Sequence, residues 1–363
     1  MRGKLGKCEH CLVLFGGSKV NEGEFKGPGH PKEPLWQRPG QRFQAFGRIF
    51  HQKCGLAAVP LAIAIALVVH RFAAKQEPPG ETELYYYFLG GLLVVSVTVF
   101  TLQLLWRSLR DRTEAVCPLM ATAFLFLGGW ELATSGFRWL PVPYFPSPAA
   151  VLRSMVTDRD LLFDSTWHSL LLLLCGYALG VITGLFSGVC IGWSPQARYW
   201  GMPLLKIVGP IPATAWIPLA MVLSPSPLFS AAALIALAAW FPVTMLTASG
   251  VSNTRTAYLD VARTLGANRA FLIFRVAIPA ALPSIFIGLF MGLGASFLTL
   301  VVAETVGVKS GLGWYVSWAQ GWAEYSKVYA ALFIMAAFFS TIITALFKIR
   351  DRVLVWQKGV IRW

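Results

Sequence analysis

The chain has 363 residues, 56% hydrophobic and 13% charged, with a mean hydropathy of +0.60. That is too apolar and too sparsely charged for an ordinary soluble domain. The formal net charge of +14 fits either a nucleic-acid partner or orientation in a membrane, and the apolar composition selects the membrane.

The first 54 residues are rich in Gly, Pro, Lys and Arg and read as a flexible, basic cytoplasmic extension. Their early apolar stretch, Cys11 to Phe15, is shorter than the hydrophobic core of a secretion signal. Cys8 and Cys11, with His51 and Cys54, have the residue types of a structural zinc site. The loop-like sequence between the two pairs favours free thiols, and the scatter of all six cysteines argues against a disulfide framework.

A bilayer core of ~30 Å needs roughly 20 apolar helical residues per crossing. Eight candidate runs follow: 55–70, 85–106, 117–134, 169–193, 203–223, 228–249, 279–302 and 329–347, the first of them short. They are continuously apolar rather than alternating, which predicts an all-α helix bundle instead of a barrel. If all eight cross and the amino terminus is cytoplasmic, 23 Lys and Arg fall on the inner side and 7 on the outer. The positive-inside rule then places both termini in the cytoplasm of a multi-pass plasma-membrane protein, with no nucleic acid involved.

Within the fourth run, Gly176, Gly180, Gly184, Gly188 and Gly192 recur every four residues. Such a stripe lets two helix backbones touch, so this span is expected to pack tightly on another helix, in the same subunit or in a second copy. The fifth run carries Pro210, Pro212 and Pro218, which remove backbone donors. Breaks of that kind are tolerated at membrane depth where protein or a water-filled cavity receives the freed carbonyls, which makes this segment a pathway candidate together with Trp216. Carboxylates are rare in and beside the spans. Glu131 and Glu304 stand out, and Glu304 suits a gate or a structural pairing at the outer mouth.

Residues 250–278, between two spans, are patterned beyond a linker. A helix over 257–265 is expected to stop at Gly266, and Asn268 to cap a second short helix running toward Val276 against the membrane, with Pro279 starting the next span. Aromatic and leucine side chains alternate with Arg263, Arg269 and Arg275, a surface suited to a groove on another protein.

Asp260, Val261, Ala262, three residues, Gly266, nine residues, then Val276 to Pro279 resemble the Glu-Ala-Ala coupling loop of ATP-binding cassette (ABC) importer permeases. Asp260 replaces the glutamate. The segments 145–151, Ser169 with Leu170, 211–219, 240–243, 300–307 and Gly311 to Gly313 resemble, in order, the sulfonate, taurine and nitrate permeases of that family. Leu172 stands where those permeases commonly carry an arginine. The resemblance runs from about residue 117 to the end, implying a six-helix transporter domain over 117–363 and an extra membrane region over 55–116.

It further implies two permease copies, two ATP-binding subunits docked through Asp260, Ala262, Arg263, Gly266, Asn268, Arg269, Phe271 and Pro279, and an external solute-binding protein. The solute would be a small anion. No G-x-x-x-x-G-K-[ST] loop occurs in the sequence, so ATP and Mg are expected on the partner and no cofactor on this chain. The rival readings are an ion-coupled secondary transporter, which would need titratable groups near the midplane, and a membrane enzyme, which would need clustered His, Asp or Glu; the five histidines are spread apart.

Overall fold

The computed structural model describes residues 57–73, 83–106, 113, 116–141 and 143–357. The candidate zinc ligands lie outside them. The described residues form α-helices with no strand among them, and six helices are long and apolar enough to cross a membrane, or seven counting one bent pair.

In chain order the helices are α1 (Ala57–Ala73), α2 (Glu83–Leu105), α3 (Cys117–Glu131), α4 (Pro148–Thr157), α5 (Arg159–Trp193), α6 (Pro195–Val208) and α7 (Ile217–Leu223). They continue with α8 (Pro227–Ser252), α9 (Thr256–Thr264), α10 (Arg269–Val306), α11 (Leu312–Gly321) and α12 (Tyr325–Val353). Sequence chemistry sets several starts. Ser147, Ser194 and Ser226 each precede a proline, and each hydroxyl accepts the backbone N–H three residues on, from Ala150, Ala197 and Phe229. A serine cap satisfies an orphan donor, and proline at the first helical position has none to lose.

The first apolar run is short, as expected, and one expectation about spans is corrected. At ~1.5 Å per residue α1 reaches only about 25 Å, short of the ~30 Å hydrocarbon core. The run 203–223 is not one helix: α6 ends at Val208 and the chain resumes at Ala213 at 83° to it. Pro210 and Pro212 fall in the break, where missing N–H groups would orphan carbonyls of a continuous helix.

Around α8 the core is assembled from glycines. Each glycine of the α5 stripe meets the residue 59 positions on: Gly176 with Ile235, Gly180 with Ala239, Gly184 with Val243, Gly188 with Thr247 and Gly192 with Val251. A constant offset means two helices running in parallel and in register. Beside that seam, Gly288 and Gly292 of α10 approach the same Val243 and Ala239, and Gly250 of α8 faces Ala281 of α10. Helix α8 is thus held at backbone contact by both α5 and α10, where dispersion replaces the hydrophobic drive that lipid cannot supply.

Candidate functional site: the coupling elbow, the bent span and the Glu304 pin

At one end of the bundle α9 is joined to α10 through Gly266, whose φ of +83° is a left-handed conformation that glycine adopts without strain. Asn268 Oδ1 accepts the Phe271 N–H at 2.8 Å and caps the following helix. That helix is not the separate short element the sequence predicts. It runs unbroken from Arg269 to Val306, through a π-helical stretch at Leu272–Ala277. Pro279 therefore lies inside α10 rather than at its start. Its ring nitrogen cannot bond the Arg275 carbonyl one turn back, and the wider π ladder immediately ahead accommodates the loss.

The elbow presents Tyr258, Val261, Leu265, Phe271 and Phe274 to the exterior, Leu265 at 83% of full exposure. Asp260 and Arg263 pair at 3.0 Å on the same exposed face, and Arg269 is exposed beside Phe271, while Ala262 is half-buried. Five large apolar side chains, three of them on α9 and its loop outside any span and two on the first turns of α10, rimmed by charge, are characteristic of a surface that a partner covers.

Beside the bent span lies a cavity of about 360 Å³, lined by Pro212 and Thr214 from the bend, Phe241 and Pro242 from α8, and Met291 and Thr299 from α10. Pro212 is the pathway candidate from the sequence that reaches this lining. Pro210 sits exposed in the break, Pro218 in the first turn of α7, and the half-buried Trp216 keeps its indole N–H without a partner among the described residues. Gly209 is required in the break because a Cβ there would fall onto the Phe241 ring.

Glu304 is at neither a helix-end surface nor the cavity. It lies in the last turn of α10, 1% exposed, with Oε1 accepting the Ser169 hydroxyl of α5 at 2.7 Å and Oε2 accepting the Gly313 N–H at 2.8 Å. The Ser169 oxygen in turn accepts the Leu312 N–H at 2.8 Å. Gly311 has φ +100°, and a Cβ on it would overlap the Glu304 carboxylate. Ser169, Glu304 and the Gly-Leu-Gly turn, three separate features in the sequence, are thus one hydrogen-bonded pin joining α5, α10 and α11. Nearby, Lys327 bridges Asp158 at 3.2 Å and Glu324 at 2.7 Å, and the Tyr315 hydroxyl donates to Asp158 at 2.8 Å.

Glu131 acquires a partner that sequence reasoning missed. His70 of α1, taken as one of five unclustered histidines, has Nδ1 2.8 Å from Glu131 Oε1, and both side chains are 2% exposed. The Tyr85 ring meets the His70 ring edge-on at 4.9 Å. Apolar spans were expected to carry few such groups, but nothing local in the sequence pairs residues 61 positions apart.

The family of binding-protein-dependent transport system inner membrane components matches residues 176–355. A probable ABC transporter permease protein of Haemophilus influenzae is 32% identical over 220 residues, 61% of this chain and 89% of that protein. The bicarbonate transport system permease protein of Synechococcus elongatus is 31% identical over 70% of this chain and 92% of its own length. The taurine transport system permease protein of Escherichia coli is 27% identical, covering 74% of this chain and 99% of its own.

Proposed function

Because this chain belongs to the family of ABC transporter permeases, the inner-membrane components of binding-protein-dependent transport, we propose that it forms half of a pathway importing a small anionic solute. Permeases of this family are multi-pass membrane subunits and not themselves enzymes. The anion is suggested by relatives named for bicarbonate, taurine and aliphatic sulfonates. In the proposed assembly two copies of this chain pair, an extracytoplasmic binding protein delivers the solute, and two ATP-binding subunits hold ATP and Mg. The elbow end and both termini face the cytoplasm, in keeping with the 23 to 7 split of basic residues that follows when all eight apolar runs cross.

The observation that carries this reading is the exposed apolar elbow at Tyr258, Val261, Leu265, Phe271 and Phe274, continuous through α10 with the wall of the cavity at the bend. An ATPase seated on the elbow pushes α9 and the first turn of α10 together. Because α10 is unbroken from Arg269 onward, that push reaches Met291 and Thr299 at the cavity as a rigid-body displacement.

Two substitutions test the dock. Gly266→Val forces a β-branched residue into a left-handed conformation at a cost of roughly 1 kcal/mol or more, with no neighbour to clash against. Asp260→Arg leaves the backbone alone and reverses an exposed charge. Both variants should reach the membrane, lose co-purification with the ATPase and lose solute uptake. Wild-type co-purification and uptake by both would remove the elbow from the coupling role.

A further inference from the structure

Helices α1, α2 and α3 are drawn together at one end and parted at the other. At the first end the His70–Glu131 hydrogen bond, the edge-on Tyr85 ring and the buried Leu89 close them. Gly128 of α3 brings Ala66 of α1 so near that an added Cβ would lie 3.5 Å from its Cα. Toward the opposite end they separate around a cavity of about 240 Å³, lined by Val59, Ile63, Val95, Val99, Met120 and Phe124 and reaching Gln103.

Gln103 is 4% exposed and lies one turn before Trp106, the end of the apolar run of α2. Its Nε2 donates to the Thr113 hydroxyl at 2.8 Å, while its Oε1 has no partner among the described residues. A carboxamide oxygen enclosed by hydrocarbon loses its water without replacement, so the space calls for a hydrogen-bond donor at the Gln103 end. The rest calls for hydrocarbon. Apolar cavities of ~150 Å³ already stay dry and take up a benzene ring, and this one is larger.

We infer that the cleft among α1, α2 and α3 is a lipid-binding site, taking one acyl chain of a membrane glycerophospholipid whose headgroup donates a hydrogen bond to Gln103 Oε1. The chain fills the space between the valines and Phe124, restoring dispersion contacts that a void forfeits. The headgroup lies at the level of Trp106, where aromatic residues mark the membrane interface. Phosphatidylethanolamine and phosphatidylglycerol carry a suitable ammonium or hydroxyl; phosphatidylcholine carries no donor.

The test uses the assembled transporter, purified in detergent, exchanged with each of the three lipids in turn, washed, and weighed by native mass spectrometry. Wild-type protein should retain about one lipid per permease chain, favouring ethanolamine or glycerol over choline headgroups by about five- to tenfold, the worth of one hydrogen bond. Gln103→Leu should keep the lipid and lose the preference. Val99→Trp should fill the cleft and lose the lipid while the assembly stays intact. Retention with no headgroup preference in the wild type, or retention unchanged in Val99→Trp, overturns the proposal. So does cross-linking of Val99→Cys to residues 1–53 or to a second copy, which would mean that protein fills the cleft.

Discussion

The α5–α8–α10 core and the α1–α2–α3 cluster are built from the same apolar residues and hold together in different ways. In the core, five glycines of α5 and three more of α8 and α10 bring backbones into contact along whole helices. In the cluster, Gly90, Gly91 and Gly129 have nothing within 4 Å of where a Cβ would stand, and one glycine, Gly128, makes a close approach. The cluster is held by the buried His70–Glu131 pair at one end and leaves a cleft at the other. Within a bilayer, apolarity by itself does not choose neighbours. Close approach and hydrogen bonds do, and the core has both while the cluster has little of the first.

The contrast is broken most severely at Gly180. A side chain there would overlap the Ala236 carbonyl, and Ala239 Cβ would be 2.8 Å away. Overpacking commonly costs ~1–3 kcal/mol, and here the obstacle is helix backbone that can yield only by parting α5 from α8. Gly180→Val should give no assembled transporter by size-exclusion chromatography; a normal elution profile would show that the core tolerates looser packing.

Next in size is the core's own polar pin. Glu304→Gln keeps the volume but replaces one acceptor by a donor facing Ser169 or Gly313, leaving a buried group unpaired at about 1–3 kcal/mol. Thermal unfolding in detergent should come several degrees earlier and uptake should fall. If neither changes, the Ser169–Glu304–Gly313 network contributes no net stability.

The matching change in the cluster should stay local. Glu131→Gln weakens the His70 contact, and hydrogen exchange over residues 57–73 should rise while ATPase co-purification remains at the wild-type level. Loss of the ATPase in that variant would mean that the cluster and the core act as one body. Smallest of all, Gly90→Ala enters open space and replaces a poor helix former, so it should be neutral or stabilise by ~0.5–1 kcal/mol. A measurable loss would reveal a contact on that face of α2 beyond the described residues.

Much of this protein is written in local sequence. Composition and run length determined a helical membrane bundle, because a hydrocarbon core sets both the length and the apolarity of a crossing. Ser-Pro pairs determined three helix starts, Gly266 determined the elbow, and a four-residue glycine period announced a contact seam. These signals act within one or two turns of chain, so they can be read without the fold. Three features could not. The stripe's partner, at an offset of 59 residues, the joining of Ser169 to Glu304 and Gly313, and the pairing of His70 with Glu131 became evident only in three dimensions. The 83° bend belongs with them: proline content predicts a break, while its angle depends on what the two halves pack against. Sequence fixes where a helix is able to touch or bend; which distant group it meets depends on how all the helices are arranged together, and only the tertiary structure decides that.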